Sequence, residues 1–518
     1  MLLGAAQLRA VDLGVLVVYV LGIVALGIYM VRRTRSVEAF TVARRSLPGW
    51  AVGLSILGTY LSSISFLALP GKAYGGDWNA FVFSLTLPFA ALIAIKLFLP
   101  LYRRTGLISA YQYLEERFGP WARLYAGLSF ILIQVGRMGA ILYLVALVLH
   151  PLTGFDVWAI IVVTGIIVTL YTTIGGIEAV IWTDVVQVIV LMGGAVVATL
   201  ILLFGGQAGV TETFSATWSA GKFSFGSWDV TDWAGPTVLV VFIYGINENL
   251  KNFGIDQNYI QRYNTAKTDR DAARSVWIGA LTYIPVSALF LFIGTALYAY
   301  YQAQPDALPS ADIAADKVFP HFIVTKLPVG VAGLVIAALF AAAMSSVDSS
   351  LNCVATICLE DVYRRYVRPD ADDARCLALL RKLTVFWGVL GTGGGLLFYQ
   401  LVTVLDLAAL DLWWTIAGIF GAGMLGPFLL GAFLQRVGNR SAIVGVIACV
   451  IYIAWATLAR DLPEDWQLLQ CNLNKLLIGV AGAGVLLVVG LVTSLIWPPK
   501  AGRPKPLTIW NARRRGSA

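Results

Sequence analysis

Apolar residues fall along this chain in blocks of about 20, the length at which a helix crosses the hydrocarbon layer of a bilayer. Polar residues gather in the intervals between. The blocks lie near 11–31, 48–70, 79–101, 123–149, 156–174, 178–204, 235–253, 275–300, 329–357, 383–403, 409–433, 441–459 and 473–496. They predict an all-α polytopic membrane protein of about thirteen transmembrane helices, a single transmembrane unit over 1–518. The basic residues alternate with them. The intervals after the odd-numbered spans hold 26 Lys and Arg, Arg262 among them, and the opposite intervals hold six. Five more (Lys96, Arg123, Arg137, Lys251 and Lys475) fall within spans. By the positive-inside rule the N-terminus is outside and the C-terminus cytoplasmic.

Several spans break the apolar pattern, and lipid penalises each unanswered polar group. In the ninth, Ser345, Asp348, Ser349 and Asn352 stand at 0, +3, +4 and +7, which is one face of a helix. Ala338, Ala341 and Ala342 extend that face, and Ser346 and Ser350 border it. Small residues at this spacing suit close helix packing; a buried carboxylate among them asks for a cation or a donor. The second span repeats the theme with Ser55, Thr59, Ser62 and Ser63. Gly53 and Gly58 weaken that helix, with an unwound turn expected near Gly58, and Pro70 is expected to end it. Freed carbonyls at that depth are tolerated where they line a cavity or hold an ion. The alternative is a merely flexible, serine-rich helix.

Three more spans carry charge. Asp184 lies about two turns into the sixth span, beyond easy reach of the surface, whereas Glu178 is expected to be solvated. On the seventh span Glu248 and Lys251, at i and i+3, are spaced to pair with each other. Arg137 sits near the middle of an otherwise apolar fourth span, where insertion costs about 2.5–3.5 kcal/mol. It reads either as half of an inter-helix salt bridge or as a fork for a substrate carboxylate.

Composition narrows the classes. Only 13% of the 518 residues are charged and 58% are hydrophobic. The net charge of +8 is a topology signal rather than a nucleic-acid patch. Five cysteines without metal-like spacing and two histidines, His150 and His321, argue against a disulfide framework, a histidine metal site or a catalytic triad. With no nucleophile–base pair either, an enzyme is not expected. No cleavable signal peptide is expected. The longest intervals, 205–234 and 301–328, are external, and the aromatic residues of the first (Trp218, Phe223, Phe225, Trp228 and Trp233) suit an interfacial cap.

The stretches "GWAVGLSILGTYLSSISF", "GLISAYQYLEERFG", "YTTIGGIEAVIWTDVVQ", "DQNYIQRY" and "AAAMSSVDSSLN", in this order and spacing, resemble the sodium:solute symporter family. The likeness covers roughly residues 10 to 495 and is greatest to bacterial sialic acid symporters. It implies a LeuT-type 5+5 inverted repeat over 48–433, with 11–31 and 441–496 peripheral and spans 2 and 7 broken. It implies one sodium held by the carbonyls of Gly58, Leu61 and Ala342 and the hydroxyls of Ser345 and Ser346. A second sodium would fall to Asp184, Ser345, Asp348 and Ser349. Asp348 stands where such symporters have serine, so this set is open between a second sodium, a proton and a pairing elsewhere. The resemblance places substrate at Ser62, Ser63, Ser65, Arg137 and Asn249. Tyr60 replaces a threonine there, and Ala80 and Ser84 replace a larger aromatic and an amide.

The expectation is a sodium-coupled symporter importing a small carboxylated solute, a sialic acid or related acid sugar. The alternatives are a neutral-sugar, polyol or monocarboxylate symporter and, from another class, a channel or sensor. The expected setting is a bacterial inner membrane, with a monomer contacting lipid, sodium and solute and no nucleic acid.

Overall fold

The computed structural model describes residues 9–30, 34–205, 209–310, 313–405, 412–413, 417, 421, 423–461 and 470–497. Among the described residues nine helices are long and apolar enough to cross a membrane, and the bent pair Gly49–Tyr60 and Ser63–Gly75 makes a tenth span. One of the nine, Val157–Phe204, is two spans joined at Gly176, which adopts φ 60°. A Cβ at Gly176 would lie 2.9 Å from the Phe40 Cα, so both the backbone angle and the close approach require glycine. The seventh span is the shorter, more polar Val238–Ile255. Of the expected eleventh, 409–433, ten residues lie outside the described ones, and its last part is the helix Leu425–Phe433.

The ninth span, Val331–Ile357, is the hub. Every residue in it except Val331 and Leu334 is buried. Its serines and its aspartate therefore face protein, not lipid. It packs most extensively on Val157–Phe204, where a Cβ at Gly194 would lie 2.8 Å from the Ala338 Cβ, so the close approach requires glycine. The first span, Ala10–Met30, does more than line the periphery. Its Asp12 carboxylate accepts the N–H groups of Gly330 (2.7 Å) and Gly333 (2.9 Å), answering donors that the start of span 9 would otherwise leave open.

Three expectations shift. The second span breaks at Leu61–Ser62, both in extended conformation, and not at Gly58. Gly58 stays helical; its missing side chain is needed for packing, since a Cβ would sit 3.0 Å from the Ser345 Oγ. Pro70 does not end the span, which runs on to Gly75. The seventh span is unbroken to Ile255; the interruption falls at Asp256, after which Gln257–Thr265 forms a second helix. All nine residues of that helix are buried. Arg262, expected in a basic loop, is therefore inside the molecule. A parallel bridge holds this segment to the entry of span 2: Leu47 N–H donates to the Thr265 carbonyl (3.0 Å) and Lys267 N–H to the Leu47 carbonyl (3.1 Å).

Candidate cation and substrate sites

Asp184 and Arg262, both fully buried, form the centre of the polar interior. The Arg262 Nη2 donates to Asp184 Oδ2 (2.9 Å) and to the Ser349 hydroxyl (2.6 Å). Its Nε donates to the Ser55 hydroxyl (2.7 Å) and its Nη1 to the Asn258 carbonyl (2.8 Å). Asp184 in turn accepts the hydroxyls of Ser55 and of Ser345, the latter at 2.5 Å. The aspartate thus has its cation, supplied from a distant segment. Glu178, expected to be solvated, is also buried, with 8% of its surface exposed.

At the end of span 2 the break frees two carbonyls of the first sodium set, those of Gly58 and Leu61. The break at Leu61–Ser62 takes the N–H groups of Ser62 and Ser65 away from the carbonyls of Gly58 and Leu61, which an intact helix would pair. Gly58 lies against Ser345, and the Thr59 hydroxyl is 3.5 Å from that of Ser349. The Ser346 hydroxyl is fully buried and has no hydrogen-bond partner among the described residues. A hard monovalent cation satisfies such a set of neutral oxygens, so these residues fit the ion.

The second set does not fit in the same way. Asp184, Ser345 and Ser349 are already joined to one another and to the guanidinium of Arg262. Asp348 leaves the group: its Oδ2 accepts the Tyr171 hydroxyl at 2.7 Å, and only a long contact of 3.3 Å ties its Oδ1 to Ser349. On the ideal helical wheel Asp348 and Ser346 lie about 160° apart, on opposite sides of span 9.

Beside the break is a cavity of about 270 Å³, lined by Tyr60, Ser62, Ser65, Gln134 and Arg137, the Glu248–Lys251 pair and the rings of Tyr244, Tyr259 and Tyr283. Arg137 donates one N–H to the Thr59 carbonyl (2.8 Å), a group freed by the break, and has no ion pair among the described residues. Glu248 and Lys251 pair with each other at 2.5 Å, as their spacing predicts. A second cavity of about 710 Å³ shares Ile64, Ser65, Phe83, Tyr244 and Tyr283 with the first and opens past Ala80, Ser84 and the 226–237 segment.

The other substrate candidates sit elsewhere. Ser63 is buried, is not on the wall of either cavity, and its hydroxyl has no partner among the described residues. Ser84 lines the larger cavity and not the inner one. Asn249 is fully buried, and its amide is spent: Nδ2 donates to Phe83 O (3.2 Å) and Thr86 Oγ1 (2.8 Å), and Oδ1 accepts the Tyr60 hydroxyl. It orients Tyr60 rather than reaching a solute. Gln134 was missed by sequence reasoning, although it lies one turn before Arg137. Arg262 was missed because its loop-like spacing gave no sign of burial.

A broken span with ordered oxygens beside an arginine-bearing cavity defines a secondary transporter, and the protein is multi-pass in the membrane. The model of the sodium:solute symporter family matches residues 40–449. The chain is 33% identical to the sodium/sialic acid symporter SiaT of Proteus mirabilis, over 94% of this chain and 96% of that one. It is 34% identical to the sodium/sialic acid symporter NanT of Aliivibrio fischeri, over 92% and 91%. The solved substrate-bound, outward-open structure of a Na+-coupled sialic acid symporter aligns with TM-score 0.86 at 32% identity, over 95% of this chain and 99% of that one. The chain belongs to the sodium:solute symporter family, its fold is of the LeuT type, and its relatives are transporters, not enzymes.

Proposed function

We propose that this chain is a sodium-driven symporter that carries a sialic acid, or a related small acid sugar, into a bacterial cell across the inner membrane. Arg137 carries this reading. A guanidinium in mid-span, with no ion pair among the described residues, lines a cavity together with the buried Asp256 and offers the planar fork that a solute carboxylate matches. The same arginine holds the Thr59 carbonyl of the broken turn, so solute binding and the cation set at Gly58, Leu61, Ala342, Ser345 and Ser346 share one flexible element. Tyr60, Ser62 and Ser65 offer hydroxyls to the sugar, and the tyrosine rings offer stacking faces. The basic face is cytoplasmic, with the N-terminus outside, and the protein works as a monomer in lipid.

Coupling to one sodium makes transport of a monoanion electroneutral. A tenfold sodium gradient is then worth about 1.4 kcal/mol, or roughly tenfold accumulation. Two sodiums across 100 mV supply about 5.1 kcal/mol, several thousandfold. The test is uptake of labelled acid sugars into proteoliposomes with sodium or choline outside; equal uptake refutes the coupling.

A further inference from the structure

The Glu248–Lys251 pair is in the wrong place for a brace between helices. Tyr244, Glu248, Lys251, Asn252 and Ile255 all line the cavity of about 270 Å³. They stand at 0, +4, +7, +8 and +11 along the seventh span, which is one face of that helix. The face turned to the cavity thus carries an ion pair at its middle. Glu248 keeps 24% of its side-chain surface open and Lys251 14%. Among the described residues neither forms a further hydrogen bond or ion pair. A carboxylate has two oxygens and an ammonium three N–H groups. One contact of 2.5 Å therefore leaves Glu248 an acceptor and Lys251 two donors beside the cavity.

Spare polar capacity at this depth is costly unless something fills it. Charge says what kind of group fits. The pair is already neutral, so another ion gains little from it. A neutral group that donates at one atom and accepts at the next matches both members. A vicinal diol is such a group: one hydroxyl donates to the carboxylate and its neighbour accepts from the ammonium. Nearby side chains leave this role open. Asn249, off that face, is spent on Phe83, Thr86 and Tyr60. Asp256, in the same cavity, accepts the Asn258 N–H of its own segment (2.8 Å).

We propose that Glu248 and Lys251 read a vicinal diol of the solute while Arg137 reads its carboxylate. Together they select a polyhydroxylated acid over a plain monocarboxylate. In a sialic acid the vicinal hydroxyls are those of the exocyclic tail. This rests on the acid-sugar symport reading and adds to it the residues that set the solute class.

The test is a binding isotherm on the purified full chain in saturating sodium, with two probes. One is N-acetylneuraminic acid; the other is the same acid with its tail shortened by periodate and borohydride, which removes the diol and keeps the carboxylate. The wild type is expected to prefer the intact acid about tenfold, the worth of a hydrogen bond to a charged group. In Glu248→Gln that ratio is expected to fall toward one. The double variant Glu248→Leu with Lys251→Met strands no charge and is expected to lose the preference as well, so a folding defect in the single variant does not decide the matter. Arg137→Gln, which touches the carboxylate common to both probes, is expected to weaken both alike and keep the ratio. A tenfold preference that survives in the double variant overturns the proposal, as does a wild type that binds both probes equally; the acid-sugar reading then still stands. Binding of neither probe in sodium removes that reading and this proposal with it.

Discussion

Arg262 and Arg123 are both buried arginines paired with aspartate, and they sit in differently balanced networks. Arg123 donates to Glu115 (2.7 Å), Asp361 (2.6 Å) and the Glu360 carbonyl (2.8 Å). Arg365 also meets Glu115, Arg364 meets Glu360, and the Ser109 hydroxyl closes on Asp361. Three carboxylates there answer three guanidinium groups, and Arg365 is half exposed. This network fastens the Gln112–Phe118 helix to the π-helical segment Cys358–Val367. At the centre, Asp184 holds the single guanidinium of Arg262 while Asp348 turns to Tyr171, and all three charged side chains are fully buried. A balanced network at the water's edge is a fastening. An unbalanced one in the low-dielectric interior leaves a carboxylate that a cation or a proton must answer.

The comparison can be broken at either end. Arg262→Met is expected to have the largest effect, about 3–5 kcal/mol of stability, because it strands Asp184 and unties Ser55 and Ser349. Thermal unfolding in detergent checks it. Arg262→Lys recovers only part, since an ammonium cannot reproduce the fork that reaches four acceptors. Arg123→Met is expected to cost about 2 kcal/mol and to leave the sodium dependence of uptake unchanged. A shifted sodium requirement would erase the distinction between the two networks.

Arg137→Gln comes next. Solute affinity is expected to fall by about 2 kcal/mol, roughly thirtyfold, with unfolding temperature held, as read by a binding isotherm. Retained affinity for a neutral sugar would favour the neutral-solute reading and make Arg137 a brace for Thr59. Ser346→Ala is expected to raise the sodium requirement about tenfold, or ~1.4 kcal/mol, measured by sodium titration of uptake.

The smallest effect belongs to Glu115. Burial pushes its carboxyl up, but Arg123 and Arg365 overcome that and hold it below the ordinary glutamate range. Its contribution to stability is therefore present above that range and lost as pH falls through the lowered value. Unfolding temperature measured from neutral to acid pH is expected to show a shallow acid-side loss that Glu115→Gln removes.

Much of this was readable in advance. The blocks of apolar residues gave the spans, and the spacing of Ser345, Asp348 and Ser349 gave a polar face that is buried in the ninth helix. Arg137 stood out because a charge in mid-span has no local remedy. Other features were not readable. Gly58 looked like the weak point of span 2 and proved to be a packing position, because what lies opposite it is set by another helix. Arg262 looked like one more basic loop residue, since its helix, Gln257–Thr265, is short and polar at most of its positions. Asn249 looked available to solute until Thr86, Phe83 and Tyr60 were seen to use its amide.

The sequence by itself determined that the chain crosses the membrane many times, where its basic residues cluster, and where costly polar groups lie along the spans, for these follow from residue type and helical period. Only the tertiary structure decided which of those groups meet. It gave Arg262 to Asp184, turned Asp348 to Tyr171, and broke span 2 at Leu61–Ser62. Charges separated by tens or hundreds of residues are brought together by packing, and in a medium without water that pairing decides which carboxylate meets a guanidinium and which meets only hydroxyls.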